Sequence, residues 1–118
     1  MEELKAKEGE WVYILSNPSM PNLFKIGRTN SIKTRMADLS CPSGIPTAFK
    51  LVYSAKVSNA TLEEKRVHAD LKDVRIAKNR EFFRSNSRIN ITRRVREVLG
   101  DVIEEKIDTR IKKKVLGG

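Results

Sequence analysis

Short apolar runs alternate with chain breakers through the first half of the chain. Residues 11–16, Trp-Val-Tyr-Ile-Leu-Ser, are aromatic and β-branched and stop at Asn17-Pro18, which predicts a strand. Pro18 to Asn22 reads as a turn, and residues 23–27, Leu-Phe-Lys-Ile-Gly, as a second strand, so the two are expected to form a hairpin. Thr29, Asn30 and Ser31 offer helix N-caps, and Ile32, Arg35, Met36 and Leu39 follow at helical spacing. Cys41 to Pro46 breaks that helix. Phe49, Leu51 and Tyr53 alternate in a third strand that runs to about Val57. Asn59 or Thr61 caps a second helix reaching Leu71, with Leu62, Val67 and Leu71 on its apolar side. Residues 72–80 are basic and irregular, and Glu81-Phe82-Phe83 is a short apolar element. From Arg88 to Leu116 apolar residues, among them Val95, Leu99, Ile103, Ile107 and Ile111, recur every three to four positions. This predicts helix, with Gly100 a candidate break into two and Gly117-Gly118 a frayed end. The order β-β-α-β-α-loop-α-α predicts an α+β domain: a small three-stranded, mainly antiparallel sheet flanked by helices.

Composition narrows the chemistry. At 118 residues the chain has the length of one domain. Cys41 and His68 are the only residues of their kinds, which excludes an intramolecular disulfide, a cysteine-built zinc site and a two-histidine metal site. No apolar run approaches the roughly 18–20 residues of a membrane span. The first ten residues are acidic and polar, unlike a signal or transit peptide. The formal net charge is +9, and the excess lies between residues 11 and 96, while both ends are neutral or negative. A basic excess spread over the middle of a small domain favours a polyanionic partner, most simply nucleic acid.

Several short motifs then fall in order. Val12-Tyr13-Ile14 lies in the first strand, Lys25-Ile26-Gly27-Arg28-Thr29 ends the second, and Arg35 follows on the next helix. Gly44-Ile45-Pro46, Glu64 with His68, and Arg80-Glu81-Phe82-Phe83 come after them. This ordered set resembles the GIY-YIG endonuclease superfamily, and in particular its small phage and bacterial branch with K-I-G-R-T as second motif and R-E-F-F near the end. The resemblance covers residues 11–84. It implies a nuclease-like domain over 11–87, preceded by a tail, 1–10, and followed by a helical extension, 88–118. That extension has three uses open to it: completing the core, forming a homodimer through its helices, or aiding DNA binding.

The resemblance also implies roles. Glu81 matches the carboxylate that holds a single Mg²⁺, with Mn²⁺ as substitute; a hard cation of this kind is satisfied by one carboxylate, phosphate oxygens and water. Arg35 matches the guanidinium that clamps the scissile phosphate. Tyr13 matches the base that deprotonates the attacking water. A free phenol titrates at about pH 10, so it needs a cationic neighbour, and Lys25 on the paired strand is a candidate. The competing reading makes Tyr13 a core residue. His68 matches a hydrogen-bond donor or acid beside the phosphate, oriented by Glu64, or else it is a satisfied interior histidine. Trp11 and Lys25 depart from the Gly and Tyr of the superfamily's two name motifs. Arg28, Lys33, Arg75, Lys78, Arg80 and Arg84 are candidate contacts to the DNA backbone.

The expected function is a Mg²⁺-dependent DNA endonuclease acting on duplex or branched DNA in the cytoplasm of a bacterial or phage-infected cell, without a membrane partner. The alternatives are a catalytically weak or inactive nucleic-acid-binding protein on the same fold, and an RNA-binding or ribonuclease-like protein.

Overall fold

Val12, Tyr13, Ile14 and Leu15 are all buried, the mark of a strand covered on both faces. That strand is the middle of the sheet. The computed structural model describes residues 9–40, 47–77 and 81–117. Within them the order is β1 (Glu10–Ser16), β2 (Leu23–Thr29), α1 (Ile32–Ser40), β3 (Lys50–Val57), α2 (Ala60–Asp70), a 3₁₀ turn (Lys72–Val74), β4 (Phe82–Arg84), α3 (Arg88–Leu99), β5 (Glu104–Ile107) and α4 (Lys112–Gly117). The sheet is antiparallel, in the order β4-β2-β1-β3-β5. The expected breaker and turn within residues 41–46, and the candidate contacts Lys78 and Arg80, lie outside the described residues.

The hairpin of β1 and β2 is present, with Tyr13 opposite Gly27 and Leu15 opposite Lys25. Its loop closes through Asn22 at φ 69°, a left-handed position that Asn tolerates. Ser31 caps α1, its Oγ accepting from the Thr34 N–H at 3.2 Å. Asn59 rather than Thr61 caps α2, its Oδ1 accepting from the Leu62 N–H at 3.1 Å. Val67 and Leu71 are fully buried, as the sequence pattern predicts; Leu62 is 51% exposed, contrary to it, and Ala60 and His68 are buried as well.

The sheet has five strands, not the three that the pattern predicts. β4 is only three residues long and pairs with β2. β5 replaces part of the predicted C-terminal helix. α3 starts at the Ser87 cap and ends where Gly100 takes φ 64°. The four-residue spacing of Ile103, Ile107 and Ile111 imitates a helix. In fact β5 is an edge strand that buries Ile107 alone, so no period-two alternation marks it. Ile103 is 61% exposed. Gly117, expected to fray, is the last residue of α4.

The helices divide between the two faces. Ile32, Met36 and Leu39 of α1 pack with Tyr13, Leu15 and Phe49. α2, α3 and α4 cover the other face, where Val12, Ile14, Ile26 and Phe83 form the larger core with Val67, Val95 and Val115. The residues after Arg88 are therefore built into the same core as the sheet. The Tyr53 hydroxyl donates to Glu105 at 2.8 Å, and Arg96 donates to both oxygens of that carboxylate at 3.0 and 2.9 Å. Burial, with the Glu105 bond adding to it, pushes the Tyr53 phenol up, so it stays a donor and fastens α3 to β3 and β5. No helix among the described residues is long and apolar enough to cross a membrane.

Phe83 is fully buried between the two layers. Phe83→Ala is expected to lower the free energy of unfolding by about 3–5 kcal/mol, read from urea melts. A loss under 1 kcal/mol would show that β4 is not part of the cooperative core.

Candidate active site

Tyr13 lies on the α1 side of β1, with its phenol laid across Gly27. A Cβ on residue 27 would stand 2.7 Å from the Tyr13 Oη and 3.0 Å from Cζ, closer than side chains come. Glycine at this position is thus a requirement of the tyrosine above it. Burial raises the phenol's pKa above its ordinary value; the Arg35 guanidinium opposes this, while Glu81 and Glu64 add to it. The phenol is protonated at neutral pH and sits among three charged groups.

Arg35 is one turn into α1, its backbone N–H donating to the Ser31 carbonyl at 3.0 Å. Its side-chain Nε is buried and has no hydrogen-bond partner among the described residues. An unmatched buried donor is costly, and an anion's oxygen is the natural match for a guanidinium.

Lys25 stands on the same sheet face, two residues before Gly27. Its Nζ donates to Glu81 Oε1 at 2.5 Å and lies 5.4 Å from the centre of the Phe82 ring. That hydrogen bond, more than any other influence, holds the Glu81 carboxyl below the usual carboxylate range; burial opposes it, and the charges of Lys25 and Arg35 assist. Lys25 thus engages Glu81, and Arg35 is the cation among the described residues whose charge lowers the Tyr13 pKa.

His68 lies on the α2 side of the sheet. Its Nε2 is 2.9 Å from the Ile26 carbonyl, and its Nδ1 is 3.1 Å from Arg75 Nη2. A guanidinium can only donate, so Nδ1 accepts and Nε2 carries the proton that goes to Ile26. Both ring nitrogens are occupied within the protein, and the ring packs on Phe83 at 5.0 Å. Glu64, expected to orient His68, instead pairs with Arg28 at 3.5 Å.

The candidate backbone contacts do not form one stripe. Arg28 and Arg75 are on the α2 side, bound to Glu64 and His68, while Lys33 on α1 and Arg84 on β4 are exposed on the Tyr13 side. The structure thus brings Tyr13, Lys25, Arg35 and Glu81 together on the α1 side of the sheet and leaves His68, Arg28 and Arg75 on the other.

Among the described residues no group of three or more His, Cys, Asp or Glu could cage a metal. Glu81 is a single ionised carboxylate, 52% exposed. That donor suits Mg²⁺ or Mn²⁺, since Mg²⁺ takes one or two carboxylates and keeps waters and substrate phosphates for the rest.

Family comparison places this α+β domain in a phage-associated, nuclease-related class. Residues 10–105 match the model of the T5orf172 domain, and the chain belongs to that family. No curated protein and no solved structure gives a significant match.

Proposed function

We propose that the protein is a Mg²⁺-dependent DNA endonuclease of the GIY-YIG type, cutting duplex or branched DNA. The observation that carries this reading is the convergence of a phenol, a guanidinium with an unmatched buried N–H, and an ionised exposed carboxylate on one face of the sheet. Phosphodiester hydrolysis needs those three capacities. Arg35 offers the phosphate a charged N–H that nothing described in the protein engages. Tyr13, in the fraction of molecules whose phenol has lost its proton to solvent, accepts the proton of the attacking water through an oxygen fixed above Gly27. Glu81 holds the divalent cation, which supplies Lewis-acid stabilisation to the phosphoryl group when bound. Lys25 holds the Glu81 carboxylate in place. His68 acts as a positioning residue, tying α2 to the β2 carbonyl just before Gly27.

The upward shift of the Tyr13 phenol favours a second reading, a weakly active or inactive DNA-binding protein, because a phenol that resists ionisation is a poor base at neutral pH.

Two measurements bear on the proposal. With a net charge of +9, affinity for duplex DNA should fall steeply with salt. Neutralising about 4–6 phosphates gives a log–log slope near −4 to −5. A flat salt dependence, or no binding at low salt, removes the nucleic-acid reading. Gly27→Ala should push the phenol aside and lower single-turnover cleavage at least tenfold with DNA affinity kept. Unchanged cleavage would show that the placement of Tyr13 over Gly27 is not used.

A further inference from the structure

Trp11 precedes Tyr13 by two residues on the same face of β1, about 7 Å along the strand. A groove of about 610 Å³ opens around it, within the range of ligand pockets. Ser54 lies in it and is the β3 partner of Tyr13, so the groove borders the β1 backbone at Tyr13, whose phenol turns the other way, over Gly27 of β2. Ile32 and Lys33 of α1 form one wall, and Glu104 and Lys106 of β5 the other.

We propose that this groove takes the base of an unpaired nucleotide next to the scissile phosphate, stacked on Trp11, with its exocyclic amino group donating to Glu104. The preferred substrate is then DNA with unpaired nucleotides at the cut, such as a tail or branch, rather than uninterrupted duplex. This rests on the nuclease reading of the Tyr13 centre.

The lining chooses the occupant. A phosphate chain laid along the groove would meet the Glu104 carboxylate at its wall. Glu105 is already held by Tyr53 and Arg96, whereas Glu104 is exposed. An aromatic surface beside one available carboxylate and two lysines suits a flat base: the ring stacks, the amino group meets Glu104, and the backbone stays outside with Lys33 and Lys106. A base inside a duplex has both faces covered by its neighbours and cannot stack on a protein ring without leaving the helix.

Trp11 is the only tryptophan, so its fluorescence reports the subsite directly. The test titrates wild-type protein, in EDTA, with three DNAs: a duplex carrying a short cytosine or adenine tail, the same duplex with an abasic tail, and a blunt duplex. The base-bearing tail should quench Trp11 and bind at least about fivefold more tightly than the abasic tail. Trp11→Leu should erase that preference while retaining binding to blunt duplex. Equal affinity for the two tails, with unchanged fluorescence, overturns the subsite and leaves the nuclease reading standing. Failure of all three DNAs to bind at low salt overturns both.

Discussion

Tyr13→Phe is expected to lower single-turnover DNA cleavage by about 10²–10⁴-fold while leaving the melting temperature nearly unchanged. The substitution keeps the ring that packs in the α1-side cluster and deletes the oxygen above Gly27. The pH dependence carries a second signature. A base acts in its deprotonated form, and burial raises the pKa of this phenol. Below that pKa the ionised fraction grows about tenfold per pH unit, so the wild-type rate should climb through pH 6–10 without a plateau. Glu81 does not limit this range, because its pKa is lowered and the carboxylate is already ionised at pH 6. Among the described residues Arg35 is the cation whose charge pulls the phenol down. Arg35→Lys should therefore be severely impaired as well, since an ammonium has no planar fork for the phosphate. Near wild-type cleavage by Tyr13→Phe would make the tyrosine a core residue.

Glu81→Gln is expected to abolish Mg²⁺-dependent nicking with DNA affinity in EDTA unchanged or improved. The amide keeps the shape and one acceptor oxygen for Lys25 but removes the charge a hard cation requires. The side chain is 52% exposed, so the fold should tolerate the change. Retained cleavage would show that Glu81 is not the metal ligand.

Much of this arrangement was legible in the residues themselves. The β1–β2 hairpin follows from two aromatic, β-branched runs around a Pro-Asn turn, and the α1 cap from Ser31. Contacts between distant residues were not legible. Lys25 and Glu81 are 56 positions apart, and neither type announces the other. The division of the basic residues between two faces depends on register: Arg28 pairs with Val12 on the α2 side, one step from Gly27 and Tyr13. β5 escaped because an edge strand with three exposed residues has no hydrophobic alternation, while its flanking isoleucines repeat at a helical interval. Its charged side chains, paired with β3, give the Trp11 groove one wall, so the groove could not be foreseen either.

One face of this sheet is proposed to hydrolyse phosphodiester bonds with a divalent cation. The most direct measurement is single-turnover cleavage of end-labelled duplex and tailed DNA by purified protein with Mg²⁺, with Mn²⁺ and with EDTA. Expected is metal-dependent cleavage that rises with pH, is absent in EDTA, and is lost in Tyr13→Phe and Glu81→Gln proteins that still bind DNA. Tight DNA binding by wild-type protein with no cleavage of either DNA, in either metal, at any pH from 6 to 10, would contradict it.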